Sequence, residues 1–237
     1  MNLAEQIKAD LYQYADPKKA ASLAKFLKAV PGGYGEGDSF IGVVVPKQRQ
    51  VVKLYYKRVS LDDVADLLQS PVHEHRMTAL FILVYKFAAA KTESEQSELG
   101  EFYLANIRYV NNWDLVDSSA DKILGAYLFS RDREILTRLA VSENIWEQRI
   151  AVIATFYFIK NHQFEDTLKI VDLLLSHRHD LIHKATGWML REIGQRDLAA
   201  EIAYLKKHYQ IMPRTMLRYA IEKFTPELRN AFMKGIA

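Results

Sequence analysis

The chain has 237 residues, with 32 Lys and Arg against 29 Asp and Glu, a formal net charge of +3, and 49% hydrophobic residues. That balance excludes an intrinsically disordered chain and is enough for a sizeable core. There is no cysteine, which excludes disulfides, cysteine-ligated zinc, iron–sulfur clusters and thiol nucleophiles.

The opening run MNLAEQIKAD carries Glu5, Lys8 and Asp10 where a signal peptide needs an apolar stretch. The longest uncharged apolar stretch, residues 150–159, is far short of the roughly 20 residues that span a bilayer. The expectation is a cytoplasmic protein with no membrane contact.

The predicted elements are almost all helices. Asp16-Pro17 opens the first marked one, followed by an apolar stripe of Leu23, Phe26, Leu27 and Val30. Next comes the one long loop, residues 31–46, which holds seven of the sixteen Gly and Pro residues. Residues 41–45 have a short strand-like pattern, too isolated for a sheet, and Val43-Val44-Val45 is expected to be buried after the loop. Further helix starts are Ser60 with Asp63 and Ser70-Pro71, the latter leading into a stripe of Leu80, Leu83, Val84 and Phe87. Glu93, Glu95, Glu98 and Glu101 read as a solvated helix face. Two later stripes are Val152, Phe156, Ile159 and Ile170, Leu173, Leu174, and Thr225-Pro226-Glu227 opens the last helix. The expected class is all-α, in a single domain spanning residues 1–237.

The helices repeat. HEHRMTALFILVYKF (73–87), IWEQRIAVIATFYFIK (145–160) and DLIHKATGWMLREIG (180–194) share a polar start, a basic residue and then small and large apolar residues. The basic residues are Arg76, Arg149, Lys184 and, in a degenerate last copy, Arg218, at spacings of 73, 35 and 34. The first spacing leaves room for a further copy at NWDLVDSSADKILG (112–125). Two helices per unit at this period resemble a HEAT-type array, which stacks into a solenoid with a concave face for extended partners. The repeated basic position is expected to line that face. The charge is also uneven: residues 184–237 carry 10 Lys and Arg against 5 Asp and Glu, while residues 1–183 carry 22 against 24. A basic C-terminal quarter suits a polyanion, although a solvated basic face gives the same count.

Three segments could carry chemistry. In Asn111-Asn112-Trp113-Asp114-Leu115-Val116-Asp117, helical spacing puts Trp113 and Asp117 on one face, turns Leu115 and Val116 to the core and puts Asp114 where a cap could sit. In Lys184-Ala-Thr-Gly-Trp188-Met-Leu-Arg191, a cation–aromatic–cation stripe suits a phosphate backbone beside a sugar or base. In Asn144-Ile-Trp146-Glu-Gln-Arg149, Trp146 is a core candidate and Arg149 occupies the repeated basic position. Each has a structural reading as well: a capped helix with a buried indole, a tryptophan packed between repeats with snorkelling charges, and an arginine in an internal ion pair.

NNWDLVDSSADKILG, SENIWEQRIAVI and HKATGWMLREIG, in this order and at these separations, resemble the AlkD-type DNA alkylation repair glycosylases, a family of HEAT-like repeat proteins. GGYGEGDSFIGVVVPKQR (32–49) is similar to the family's loop and following helix, and MPRTMLRYAIEKF (212–224) to its C-terminal signature. The resemblance covers nearly the whole chain. It implies a HEAT-like solenoid cradling duplex DNA in a concave basic groove. The implied reaction is hydrolysis of the N-glycosidic bond of cationic alkylpurines such as 3-methyladenine and 7-methylguanine, with no metal or cofactor. It matches Asp117 to the catalytic carboxylate and Trp113 and Trp188 to indoles flanking the damaged nucleotide's sugar. It matches Arg149 to a residue near the lesion-strand backbone and Arg191 to one near the helix of the second indole. Lys184 and Arg218 join the DNA-binding set on the repeat argument. The expected partner is double-stranded DNA containing alkylated purines, bound by a monomer.

Other signals lead nowhere on sequence grounds. Gly33-x-Gly35-x-Gly37 lacks the strand–turn–helix context of a nucleotide loop. His73-Glu74-His75 is not a zinc-protease motif, and residues two apart on a helix diverge. His179 and His183 lack a third ligand nearby. The wholly apolar Val43–Pro46 run offers no polar side chain to an opposite strand, and Asn112 offers no aromatic extension before Trp113. Two other functions fit the same repeats. One is a non-catalytic DNA-binding HEAT-repeat protein for distorted or branched DNA. The other is a protein–protein scaffold, which leaves the Lys184-Trp188-Arg191 stripe without a role.

Overall fold

The computed structural model describes residues 2–237. Its α-helices run in the order α1 (Leu3–Tyr12), α2 (Pro17–Phe26), α3 (Val45–Tyr55), α4 (Leu61–Leu68), α5 (His73–Ala89), α6 (Glu93–Ala105), α7 (Trp113–Ser119), α8 (Ala126–Leu128), α9 (Glu134–Ala140), α10 (Ile145–Ala154), α11 (Phe156–Lys160), α12 (Glu165–Leu173), α13 (Asp180–Gly194), α14 (Leu198–His208), α15 (Arg214–Ala220) and α16 (Pro226–Lys234). The class is all-α. The only β pairing among the described residues is an isolated parallel bridge between Ser39 and Val72. Among the same residues, no helix is long and apolar enough to cross a membrane.

The helix starts follow cap chemistry. Asp16 accepts from the Lys18 and Lys19 amides with Pro17 at the first helical position. Ser60 and Asp63 form a reciprocal capping box, and Thr225 accepts from the Leu228 amide. Ser70-Pro71 does not start a helix. Helix α5 begins two residues later, at His73, because Ser70 Oγ is engaged by the Val72 amide and His75 Nδ1.

The chain divides into two compact units, Met1–Leu124 and Gly125–Ala237. In the first, α5 is the central helix, with α3, α4, α6 and α7 packed around it. It is buried on nearly all sides from His73 to Leu83, as a helix enclosed by others must be. In the second unit, α10 packs on α13 and α13 on α15, while α9, α12 and α14 pair with them from the side. The repeated basic residues Arg149, Lys184 and Arg218 fall on α10, α13 and α15. The expected missing copy at 112–125 is α7 and the π-helical turn Asp121–Gly125 that follows it.

Close helix packing in the second unit depends on a glycine. A methyl group at Gly187 on α13 would lie 2.4 Å from the Met216 carbonyl oxygen and 2.6 Å from Tyr219 Cβ on α15. Only hydrogen fits there.

Three apolar expectations are corrected. The α2 stripe is not core: Leu27 is buried, but Phe26 is 65% exposed and Val30 43%. Leu173 is 44% exposed beside the buried Ile170 and Leu174. Of the valine run only Val43 is buried; Val44 and Val45 are exposed where α3 begins. The strand-like pattern of residues 41–45 forms no strand. The amides of Ile41, Gly42 and Val43 all point at the buried Glu74 carboxylate, with Gly42 N at 2.7 Å from Oε1. Gly42 has φ +81°, and a methyl there would sit 2.0 Å from the Asp16 carbonyl oxygen, so this turn requires glycine.

Candidate functional site

The site begins at the N-terminus of α7. Asn112 is fully buried in an extended conformation, and its side-chain oxygen accepts from the Trp113 amide at 2.8 Å. Its Nδ2 donates to the Leu27 carbonyl at 3.3 Å, fixing the helix start to the end of α2. Leu115 and Val116 are fully buried, so the opposite face, with Trp113 and Asp117 one turn apart, is half-exposed. The ring of Phe26 meets the Trp113 indole edge-on, centroids 5.5 Å apart at 81°. The π turn after α7 is an irregularity that commonly accompanies functional sites. Asp121 within it is buried and ion-paired to Lys122.

The first turn of α5 supplies what the sequence reading set aside. His73, 3% exposed, lies between two carboxylates: its Nδ1 is 2.9 Å from Asp38 Oδ2 in the loop, and its Nε2 is 2.8 Å from Asp114 Oδ2 on α7. Phe40 stacks on the imidazole at 5.0 Å. Arg76 forms an ion pair with Asp38 at 2.6 Å and donates to the Ser70 carbonyl. Burial opposes the charged imidazole, but the hydrogen bonds to Asp114 and Asp38 outweigh it, and the His73 pKa is pushed up to about 9. Burial also opposes ionisation of Asp38, yet His73 and Arg76 hold it below the usual carboxylate value. His75 faces away, with Nδ1 against Ser70 Oγ and its ring against Tyr12, and burial pushes its pKa down to about 4. The divergence of His73 and His75 was legible from their spacing. The partners of His73, 35 and 41 residues away in the chain, were not.

In the second unit, Asn144 caps α10 by accepting from the Trp146 amide at 2.9 Å, and Trp146 is buried. Arg149 is 5% exposed and donates from Nη1 to the Leu181 carbonyl on α13 at 2.5 Å. The repeated basic position was expected on an open face. At Arg76 and Arg149 it is buried instead: Arg76 is satisfied by Asp38 and the Ser70 carbonyl, and Arg149 by the Leu181 carbonyl on α13.

Helix α13 is capped by His179, whose Nδ1 accepts from the Leu181 amide. Its predicted stripe is present, each member with an acidic partner. Lys184 is 2.6 Å from Asp180, and Arg191 is paired with Glu222. Half-exposed Trp188 donates from Nε1 to Glu192 at 3.0 Å and packs against the Phe156 ring with centroids 5.8 Å apart. Arg196 closes this group, ion-paired to Glu192 and lying over Phe156. Arg218 on α15 is exposed and donates to the Arg214 carbonyl. Phe26, Phe156 and Glu192 escaped sequence reasoning. The first two read as ordinary core aromatics by period alone. Among the described residues, no group of three His, Asp or Glu is arranged to hold a metal ion.

Trp113 and Asp117 thus belong to the first unit, and Arg149, Lys184, Trp188, Arg191 and Arg218 to the second. The first set can offer a carboxylate and an indole to a developing cation. The second offers an aromatic face edged by cations.

No curated protein shows a significant match. Among solved structures, the fold is similar to that of a chain titled "Predicted DNA alkylation repair enzyme from Enterococcus faecalis", with a TM-score of 0.69 at 17% identity, over 90% of this chain and 97% of that one. The family model described as DNA alkylation repair enzyme matches residues 7–224. The chain belongs to the DNA alkylation repair enzyme family.

Proposed function

We propose that the protein is a monofunctional DNA glycosylase that hydrolyses the N-glycosidic bond of cationic N-alkylated purines, 3-methyladenine and 7-methylguanine, in duplex DNA. One observation carries this reading: α7 is rigidly capped and presents Trp113 and Asp117 one turn apart on its half-exposed face. Family membership supplies the DNA substrate.

The chemistry asks for little more. An alkylated purine already carries a positive charge and departs as a neutral base, so no general acid is required. Positive charge develops on the deoxyribose as an oxocarbenium ion. The Asp117 carboxylate would stabilise that charge and orient the attacking water, and the Trp113 π face would add its quadrupole. In the second unit, Trp188 would lie against nucleotide sugar, with Arg191, Lys184 and Arg218 at phosphates, while the buried Arg149 would hold α10 against α13 beneath them. In the protein alone, Asp180 and Glu222 pair with Lys184 and Arg191. Neutral lesions such as hypoxanthine or uracil lack the charged leaving group and should be poor substrates.

The test is a duplex oligonucleotide with one 7-methylguanine, scored for alkali-labile abasic sites, alongside duplex binding at low salt. Abasic sites formed by the wild type support the reading. Binding without abasic sites favours a non-catalytic protein for distorted or branched DNA. No binding at all favours a protein scaffold.

A further inference from the structure

We propose that His73 is a positioning residue: its imidazole, hydrogen-bonded on both nitrogens, ties the loop at Asp38 to the first turn of α7 and so sets the pose of Trp113 and Asp117. The inference rests on the glycosylase reading for what that pose is used for, and on geometry for the rest.

Helix α7 has only seven residues, too few to hold its own direction by internal bonds. Its start is held at two points. One is Asn112, which grips the Leu27 carbonyl. The other is Asp114, which accepts the Leu115 amide through Oδ1 and meets His73 through Oδ2. Asp114 is flanked by the two proposed site residues, one position after Trp113 and three before Asp117, so its anchor sets the rotation of both about the helix axis. His73 is in turn immobilised. It sits on the central helix, is stacked by Phe40 and is bonded to Asp38, which Arg76 also holds. Next to it, Glu74 pins three successive loop amides. The first turn of α5 therefore fixes the loop and the catalytic helix together.

Both partners of the imidazole are carboxylates. A neutral ring has one N–H and could satisfy only one of them; a doubly protonated ring donates to both. The raised His73 pKa agrees with that state. The charged groups facing the ring are Asp38 from the loop, Asp114 from α7 and Arg76 from its own helix.

The test uses the full chain and Asp114→Asn, a partly exposed position that tolerates substitution better than His73→Gln. Three readouts are needed: single-turnover release of 7-methylguanine, affinity for undamaged duplex, and NMR of the His73 ring nitrogens and the Trp113 indole N–H, assigned by its loss in Trp113→Phe. The release rate of Asp114→Asn should fall at least about tenfold, as misplacement of a reacting group by a fraction of an ångström costs. Duplex affinity should stay within about twofold, because α7 contributes no cation there. The Trp113 indole resonance should shift, and both His73 nitrogens should carry protons at pH 7 in the wild type. A variant that loses thermal stability but keeps the wild-type release rate and indole resonance would overturn the proposal. If the wild-type protein releases no base, the glycosylase reading fails on its own. The NMR arm then decides: two ring protons and a shifted indole uphold the anchor, and a singly protonated ring or an unmoved indole sinks it.

Discussion

Phe26 places the edge of its ring on the Trp113 indole, centroids 5.5 Å apart and nearly perpendicular, while remaining 65% exposed. An exposed large aromatic that contacts a site residue contributes little to the core. Its surface is available to a ligand. Phe26→Ala should therefore change thermal stability by no more than about 0.5–1.5 kcal/mol, the range of an aromatic pair. Base release should fall several-fold. Calorimetry alongside single-turnover kinetics checks both. A large stability loss with unchanged release would assign Phe26 to structure alone.

The two histidines of α5 give opposite pH signatures. The folded pKa of His73 is raised to about 9 from 6.5, so its stabilisation is fully present below pH 6.5 and is lost as pH rises through about 9. The folded pKa of His75 is lowered to about 4, so the native state resists protonation that the unfolded chain accepts. Its effect is destabilisation as pH falls from 6.5 towards 4. The stability difference between wild type and His73→Gln should be constant from pH 5 to 6.5 and shrink towards pH 9. Denaturant titrations across that range measure it. A difference that grows with pH would contradict the bridged imidazolium.

Gly187→Ala tests the helix packing of the second unit. The added methyl meets the Met216 carbonyl oxygen and Tyr219 Cβ, one of them main chain that cannot swing aside. The helices must separate, and the expected cost is about 1–3 kcal/mol, despite the better helix propensity of alanine. A stability equal to or above wild type would show that α13 and α15 accommodate the methyl.

DNA affinity should fall linearly on a log–log plot against salt, with a slope of about −0.9 per phosphate neutralised. Arg218→Ala removes an exposed cation whose guanidinium donates to the Arg214 carbonyl. It should weaken binding uniformly across sequences and reduce the slope by about 1. Lys184→Ala should act less, because Asp180 already offsets its charge. Titration of a fluorescent duplex at several salt concentrations gives both slopes. A salt-independent affinity would show that these cations do not bind phosphates.

Local patterns announced much of this architecture. Helical period, caps at Asp16, Ser60 and Thr225, and the spacing of Arg149, Lys184 and Arg218 were enough for an all-α repeat. These signals lie within one turn or one repeat of each other. The pair Trp113 and Asp117 was legible for the same reason. What stayed hidden depends on contacts between distant segments. Arg76 is buried in an ion pair with Asp38, and Arg149 in a hydrogen bond to the Leu181 carbonyl on α13. The Asp38–His73–Asp114 bridge joins a loop and two helices. The roles of His73 and Glu74 were hidden because their partners are carboxylates and amides 31 to 41 residues away.

In the proposed reaction the Asp117 carboxylate is indispensable to base excision. The most direct measurement is free 7-methylguanine released from methylated duplex DNA by the wild type, by Asp117→Asn and by a blank without protein. The wild type should release base well above the blank, and Asp117→Asn should be indistinguishable from the blank while still binding duplex. Equal release by the wild type and Asp117→Asn, or none by either, would contradict it.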